Sequence, residues 1–513
     1  MTRPRLILSL IAGVAAFAGA LAITEPLGPG LDPDGMAYVH AARSIVQRGS
    51  LRDVRDEWMP ADSERMLTRW PPGFPVAIAA PVAAGASPIQ GARLVIALSA
   101  FAAMATLIWL VSGIASLAAA AVLAVILLVS PAMSYVHASV LSEPLFLALL
   151  AATLTLMVRE RAAPFAEGCA AAAASMVRYA GLAAVGTVVL WELARPGSWK
   201  ARMKNAALAA LPALIVNAWW WTRAAHAGGR SAVRYFSLYG ALTNTLTEGF
   251  ATTVAWLAPG GSPAAPWTAA AVTAGLLLVT VRGVQRARAG DSPAGKRFLA
   301  ATALLLIDYL GLVIVARILA DAEIPLDQRI LAPAILLLSL FIVLAGALWW
   351  RGAARIPRII AAAALVAWSA ESFLETRGAV RYVLETGSDY ADQCWRGSPV
   401  TAWVREHGAG HPLVSNASVA LYFHAGRLAR EMPGDMSPAV ERAFLDTLAA
   451  RDAYLVLFDR SCAASIDQPD SLLLSPRLVR EAQLPRGSIW RARADTMHEP
   501  PAPSWAPAAR VTP

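Results

Sequence analysis

Charged residues are scarce in this 513-residue chain: Asp, Glu, Lys and Arg together make up 15% of it, and lysine occurs only three times. Hydrophobic residues make up 57%, and the mean hydropathy is +0.51. A soluble domain has about 25% charged residues, so the composition excludes a cytosolic enzyme. The apolar residues fall in many separate runs, which excludes a single-span receptor. The chain is predicted to be a membrane protein.

Metal-ligand motifs are also missing, because none of the histidines shows a ligand spacing of a recognised type. No cofactor is therefore predicted, and a divalent metal is not indicated. The formal net charge is +9, but the basic residues cluster in short loops between apolar runs. This pattern is typical of membrane insertion, so no nucleic-acid partner is predicted.

Apolar runs of about 20 residues predict the membrane spans. One stretch, 165–194, is too long for one span and is broken at Arg178-Tyr179-Ala180-Gly181, so it is either a hairpin of two short helices or one kinked helix. The positive-inside rule favours the hairpin, which gives about 11 spans. The other spans are 6–24, 89–111, 115–131, 138–158, 203–222, 264–281, 298–317, 328–350 and 356–372.

The loop charges predict the orientation. The segments assigned to the inside carry 16 Lys and Arg and only two acids, whereas the loop at 25–72 carries eight acids and six arginines. The N-terminus is therefore placed inside, with the first helix uncleaved, in a multi-pass protein of the cytoplasmic (inner) membrane. The apolar segment 71–87 is short and contains prolines, so it is placed at the outer interface.

The polarity changes after residue 372, which predicts three regions. Residues 1–372 form a transmembrane domain with an outer loop at 25–88, and 373–495 form a small extracytoplasmic α/β domain. The Pro/Ala-rich tail at 496–513 is predicted to be disordered. Strands are expected at 412–416 and 454–458, and a helix at 438–450.

Two of the three cysteines, Cys394 and Cys462, fall in the predicted exported domain. Oxidation can occur there, so a disulfide between them is expected. Cys169 lies in a predicted span and is interpreted as a small core residue.

A cluster of acids follows the first span. Asp32 can cap a helix that begins at Pro33, and on spacing alone Asp32 and Asp34 merely complement the helix dipole. However, the stretch with Asp34, Tyr38, Ala42, Arg43 and Gly49 resembles the first outer loop of the GT-C glycosyltransferases. The resemblance is to the bacterial branch related to protein O-mannosyltransferases and aminoarabinose transferases. It departs at Gly35, where the family commonly has Glu.

Further stretches resemble motifs of the same family, in the same order along the chain. Together they cover residues 1 to about 350 and are specific to the superfamily, not to a substrate. They are Arg69-Trp70-Pro71-Pro72-Gly73-Phe74-Pro75, Ala92-Arg93-Leu94, Leu141-Ser142-Glu143-Pro144-Leu145-Phe146, Arg178-Tyr179-Ala180-Gly181 and Gln328-Arg329-Ile330-Leu331-Ala332-Pro333.

The resemblance implies an inverting transferase that moves a hexosyl or pentosyl group from a polyprenyl-phosphate donor to a hydroxyl or amine at the outer face. The acceptor is a protein, a lipid or an envelope glycan, and membrane lipids surround the enzyme. Asp34 matches the family's catalytic aspartate and would act as the base, with Asp32 as the alternative. Tyr38 and Arg43 of the same motif are candidate substrate-binding residues.

The departing lipid phosphate requires positive charge, and guanidinium groups match phosphate in a bidentate way. Arg178 and Arg329 fit this role best, and Arg93 and Arg69 fit it less well. Alternatively, each of these arginines simply snorkels to the interface. Glu143 is expected to have a buried partner, either one of these arginines or His137.

Two rival functions stay open. A transporter or flippase of lipid-linked sugars would suit broken helices, but most span centres lack ionisable residues other than Asp308. A non-catalytic partner in envelope assembly would keep the fold and the lipid groove.

Overall fold

The structure is a computed structural model, and it is mostly helical. It describes residues 3–25, 27–53, 65–227, 242–257, 265–288, 293–320, 324–434, 436–462 and 472–494. The chain divides into two compact units. The first comprises the described residues of Met1–Pro29, Ala41–Leu51 and Met66–Glu385, and the second those of Gly30–His40, Arg52–Arg65 and Thr386–Pro513. The predicted tail at 496–513 lies outside the described residues.

Helices dominate the chain as far as Thr386. They are α1 (Arg3–Ile23), α2 (Pro33–Arg48), α3 (Gly73–Ala83), α4 (Pro88–Ile114), α5 (Leu117–Leu128), α6 (Pro131–Ala138), α7 (Glu143–Met157), α8 (Pro164–Val177), α9 (Leu182–Ala194), α10 (Trp199–His226), α11 (Leu242–Leu257), α12 (Ala265–Arg288), α13 (Pro293–Leu319), α14 (Gln328–Trp350) and α15 (Arg355–Thr386). Two-residue strands β1 (Arg52–Asp53) and β2 (Arg65–Met66) pair with each other.

Side-chain caps define where several of these helices begin. At α4, Ser87 and Gln90 form a reciprocal capping box, and proline occupies a first-turn position where no backbone donor is needed. Ser116 caps α5, and Asp327 caps α14 by accepting a hydrogen bond from the Ile330 backbone. These caps satisfy backbone donors that the first turn of a helix leaves unpaired.

Several helices are long and apolar enough to cross a membrane. Among the described residues there are five, namely α1, α4, α13, α14 and α15, or six if the pair α5 and α6, bent by 58°, counts as one broken span. The protein is a multi-pass membrane protein. The total of 11 spans and the orientation stay predictions.

The helix boundaries differ from the predicted spans in two places. The run predicted as 115–131 followed by 138–158 forms three helices, because Pro131 and Pro144 each occupy a first-turn position and begin a new helix. The helix predicted to end at 372 continues to Thr386 as the last part of α15. Polar helix formers extend it, including an Arg381–Glu385 pair at 2.7 Å. The boundary between the units therefore lies after Glu385 rather than after residue 372.

The stretch at 165–194 forms a hairpin of two short helices and not one kinked helix. Near the open end of the hairpin, Glu167 of α8 contacts Arg195, which follows α9, at 2.9 Å. At the closed end, a 3₁₀ turn over Tyr179–Gly181 joins the two helices. A Cβ atom on Gly181 would lie 2.3 Å from the Ala174 carbonyl carbon, so the turn requires glycine.

The second unit contains a five-stranded mixed sheet in the order β4-β3-β5-β7-β6. β3 is parallel to both β4 and β5, whereas β7 is antiparallel to β5 and β6. The strands are β3 (Leu413–Ser415), β4 (Arg430–Glu431), β5 (Tyr454–Phe458), β6 (Leu478–Leu484) and β7 (Gly487–Ala492). The accompanying helices are α16 (Gln393–Arg396), α17 (Pro399–His407), α18 (Ser418–Ala420) and α19 (Pro438–Ala450).

Strand β5 divides the core of this unit into two layers. Its alternate residues Tyr454, Val456 and Phe458 pack in one cluster, and Leu455 and Leu457 pack in the other. Cys394 and Cys462 form a disulfide with their Cα atoms 5.4 Å apart. The hairpin of β6 and β7 was not predicted, because its exposed face is occupied by charged residues.

Candidate active site

Two arginines converge on one buried carboxylate in the first unit. Glu143, whose side chain is fully buried, contacts Nη1 of Arg178 and Nε of Arg329, each 2.6 Å from its Oε1. Arg178 also donates to the Ser142 hydroxyl at 3.0 Å. His137, the other partner considered for Glu143, instead donates from Nδ1 to the Met133 carbonyl. Three motifs that are far apart in the sequence therefore form one charged cluster, called here the arginine cluster.

The ends of helices place each member of the arginine cluster. Glu143 is the first residue of α7, and Arg329 is in the first turn of α14, after the Asp327 cap. Arg178 follows α8 in an extended conformation (φ −146°, ψ 140°), which directs the chain into the 3₁₀ turn. Charged groups at helix ends lie where membrane-spanning segments approach the interface, where a charge costs less than at mid-membrane.

The arginine cluster presents two partly exposed guanidinium groups. Both contact Glu143, and 14% of the Arg178 side chain and 17% of the Arg329 side chain are exposed. Nε of Arg178 is buried and has no hydrogen-bond partner among the described residues. Such a cluster has both the charge and an unused donor for an anion such as a phosphate.

Residues that the sequence analysis missed support this cluster. The Tyr309 hydroxyl, which is buried, donates to the Ile330 carbonyl at 2.6 Å, next to Arg329. Trp220 donates to the Tyr179 hydroxyl at 2.9 Å, next to Arg178. The only sequence signal for Trp220 was a tryptophan-rich, basic end to its predicted span, which is also typical of interfacial anchors.

Arg223 ties the segment before α3 to the end of α10. It donates to the Leu67 carbonyl at 2.8 Å, and its guanidinium lies over the Trp220 ring, 4.9 Å from the centroid. Close by in sequence, Gly73 packs on the backbone of Met176. The segment that contains Arg69 is thus held beside the turn that contains Arg178.

The less favoured arginines lie elsewhere. Arg93 donates to the Thr24 hydroxyl and the Leu21 carbonyl at 2.7 and 2.8 Å, and it pairs with Glu25. It therefore fastens the end of α1. Arg69 is exposed, with its guanidinium 5.1 Å from the Trp70 ring centroid. Arg43 is exposed on α2.

Asp32 and Asp34 belong to the second unit. Oδ1 of Asp32 accepts a hydrogen bond from the Gly35 backbone at 2.6 Å, so Asp32 caps α2, and Asp34 lies in the first turn. In the same unit, Leu31 forms a β-bridge with Asp389, and the His40 ring lies 6.0 Å from that of Tyr422. Tyr38 is buried. The C-terminal part of the chain thus packs around the start of α2.

An apolar cavity of about 270 Å³ lies in the first unit. Its lining includes Leu147, one turn along α7 from Glu143, and Leu336, two turns along α14 from Arg329. Ser134, His137 and Thr376 are its polar lining residues. No group of three or more His, Cys, Asp or Glu that would suit a metal ion occurs in the described part of the chain.

Comparison with solved structures identifies the architecture. The chain is similar to ArnT from Cupriavidus metallidurans bound to undecaprenyl phosphate, with 13% identity and a TM-score of 0.62. The match covers 96% of this chain and 99% of the ArnT chain. The apo form of the same enzyme gives a TM-score of 0.61, with 13% identity over 94% of this chain and 97% of its own. The chain has the GT-C fold.

The GT-C fold also occurs in the arabinofuranosyltransferase AftD from mycobacteria. The match covers 96% of this chain and 40% of the AftD chain, with 18% identity and a TM-score of 0.58. No family model and no curated protein matches the chain. The resemblance drawn from the motifs is thus confirmed as a GT-C fold.

Proposed function

We propose that the protein is a membrane glycosyltransferase that moves a sugar from a polyprenyl-phosphate donor to an acceptor at the outer face of the cytoplasmic membrane. The arginine cluster is the observation that carries the proposal. It supports an anion site, and the GT-C fold that contains it also occurs in an enzyme solved with undecaprenyl phosphate.

The arginine cluster would bind the donor phosphate. A sugar phosphodiester carries one negative charge, and its leaving lipid phosphate gains a second as the sugar departs. Arg178 and Arg329 would both donate to the phosphate, and these contacts strengthen as its second negative charge develops, so the cluster stabilises the leaving group more than the donor. Glu143 holds the two guanidinium groups in place before the donor arrives.

The apolar cavity supports a lipid-linked donor. Its lining begins about 6 Å along α7 from Glu143, given the rise of a helix, and consists mostly of Ala, Leu and Met side chains. A polar head bound at the arginine cluster and an isoprenoid chain directed along α7 and α14 would therefore each meet matching surroundings. A water-soluble nucleotide sugar would leave this apolar surface unused.

Asp34 is the proposed general base. The acceptor oxygen or nitrogen attacks the anomeric carbon, the bond from that carbon to the phosphate oxygen breaks, and the acceptor proton passes to Asp34. One displacement of this kind inverts the anomeric configuration. Asp32 is less suited to the role, because its Oδ1 is engaged in capping α2.

A reconstituted transfer assay tests the proposal. Purified protein in liposomes receives a polyprenyl-phosphate sugar labelled in the sugar, together with an envelope extract as acceptor. A transferase releases free polyprenyl phosphate and labels an acceptor. Movement of intact donor between leaflets would indicate a flippase, and donor binding without turnover would indicate a non-catalytic partner.

Matched variants make this assay specific. The Asp34→Asn protein should bind donor but not release polyprenyl phosphate, because it keeps the volume and loses the base. Glu160→Gln serves as the control, since the Glu160 side chain is 88% exposed and lies far from the proposed chemistry in the predicted topology. If Asp34→Asn and Glu160→Gln turn over equally, Asp34 is not the base.

A further inference from the structure

A second buried charged cluster lies at the open end of the α8–α9 hairpin. It consists of Glu167 on α8, Glu192 on α9 and Arg195 just after α9. Both glutamate side chains are fully buried, and 15% of the Arg195 side chain is exposed. Nη2 of Arg195 lies 2.9 Å from Oε1 of Glu167, and its Nε lies 2.5 Å from Oε1 of Glu192.

Each glutamate has one oxygen that does not contact Arg195. Oε2 of Glu167 and Oε2 of Glu192 are buried and have no hydrogen-bond partner within the described segments. Yet both carboxylates contact the guanidinium group of the same arginine, Arg195, so they lie side by side. Two ionised carboxylates only accept hydrogen bonds, so they would repel each other instead of pairing.

Among the described residues, Arg195 is the cation that forms ion pairs with the two glutamates. The charged groups that act on Glu167 are Arg195, which attracts it, and Glu192, which repels it. From α7, the Met157 carbonyl accepts from Trp191 and from Arg195, and the Ala163 backbone donates to Glu167. The remaining charged residues nearby in sequence lie at exposed or half-buried positions: Glu160 with Arg297, and Lys200, Arg202 and Lys204 at the start of α10.

We infer that Glu167 and Glu192 share one bound proton. The proton turns one carboxylate into a donor, so the two side chains form an O–H···O⁻ hydrogen bond, and one negative charge remains to balance Arg195. A metal ion fits less well, because the guanidinium already contacts both carboxylates and would repel a second cation. This inference does not depend on the proposed function.

With the shared proton, the three side chains have no net charge and link α8 to α9. This linkage is called here the clamp. The same two helices carry Arg178 at the closed end of the hairpin, so the clamp fixes the end opposite the arginine cluster. A glutamine in place of either glutamate should preserve the clamp, because its amide N–H donates as a protonated carboxyl does. An alanine should break it.

The test compares the thermal unfolding of full-length protein in nanodiscs between about pH 6 and pH 9. The wild-type midpoint should fall by about 3 °C or more as pH rises, because the proton leaves and two buried carboxylates remain. Glu167→Gln should match the wild type at low pH and lose most of this fall. Glu167→Ala should be less stable throughout, and the exposed control Glu160→Gln should behave as wild type.

Infrared difference spectra supply a readout that does not need a stable variant. The wild type at neutral pH should show the carbonyl stretch of a protonated, buried carboxyl, which either Glu167→Gln or Glu192→Gln should remove. Absence of that band in the wild type overturns the inference. So does a wild-type midpoint that depends on sodium or potassium, which would indicate a cation in place of the proton.

Discussion

Gly73 lies so close to Met176 that a Cβ atom on residue 73 would stand 2.6 Å from the Met176 carbonyl oxygen. Real Cβ atoms essentially never approach an oxygen so closely, so only glycine fits. Because Met176 is two residues before Arg178, this contact holds the Trp70-Pro71-Pro72 motif against the turn that carries one member of the arginine cluster.

Gly73→Ala should therefore destabilise the protein by about 1–3 kcal/mol, because α3 must move away from α8. Thermal unfolding in detergent measures the loss, and donor binding should weaken with it. Gly186→Ala is the matched control, since nothing lies within 4 Å of a Cβ there and alanine is the better helix former. Equal stability of the two variants would contradict the packing argument.

Asp34→Asn should reduce turnover by about 100-fold or more while leaving donor binding nearly intact. A purely structural Asp34 would tolerate the change, because asparagine serves as well as aspartate near a helix N-terminus. Asp32→Asn provides the comparison, since asparagine can keep the cap on Gly35. If Asp32→Asn loses turnover and Asp34→Asn does not, the base is Asp32. If both stay active, chemistry occurs elsewhere.

Arg329→Ala should weaken donor binding by about 10- to 100-fold, because it removes a charge-assisted contact to phosphate. Arg329→Lys should have a smaller effect, since the charge survives but the bidentate geometry does not. Binding of labelled polyprenyl phosphate to purified protein measures both. Arg297→Ala is the control, because this arginine pairs with exposed Glu160. An Arg329→Ala protein with wild-type affinity would show that the cluster is purely structural.

Reduction of the disulfide between Cys394 and Cys462 should destabilise the second unit by about 4 kcal/mol in the chain-entropy model, because the two residues are 68 apart in sequence. The unfolding of wild type with and without a reductant measures the loss. Cys169→Ser should leave both curves unchanged, since Cys169 is free and is exposed rather than in the core as predicted. A wild-type curve insensitive to full reduction would contradict the prediction.

The predicted orientation places Ser388 outside and Asp291 inside. Alkaline phosphatase fused after Ser388 should be active, and the same fusion after Asp291 should be inactive, because the enzyme folds only in an oxidising compartment. A cytosolic reporter at the same two positions should give the opposite result. Activity of the phosphatase at Asp291 would overturn the topology.

Local sequence determined the helices of the membrane part and much of the second unit. Apolar runs, serine caps and first-turn prolines act within a few residues, so α1, α4 and α14 lie close to the predicted spans. Strand β5 and helix α19 also match their predictions, because β5 is a short continuous apolar run and α19 has an amphipathic helical pattern. Helix α15 continues beyond the predicted span at 356–372, because a drop in hydropathy marks the edge of an apolar span and not the end of a helix.

Tertiary structure alone decided which charges meet. The sequence indicated that Glu143 needs a partner, but it did not distinguish among four arginines and a histidine, because each lies in a different segment of the chain. Nor did it show that Leu31 pairs with Asp389, or that Glu167 and Glu192 are both buried against Arg195. Such contacts join residues far apart in the chain, and they depend on how whole helices pack. The residue types were therefore readable from the sequence, whereas their partnerships required the fold.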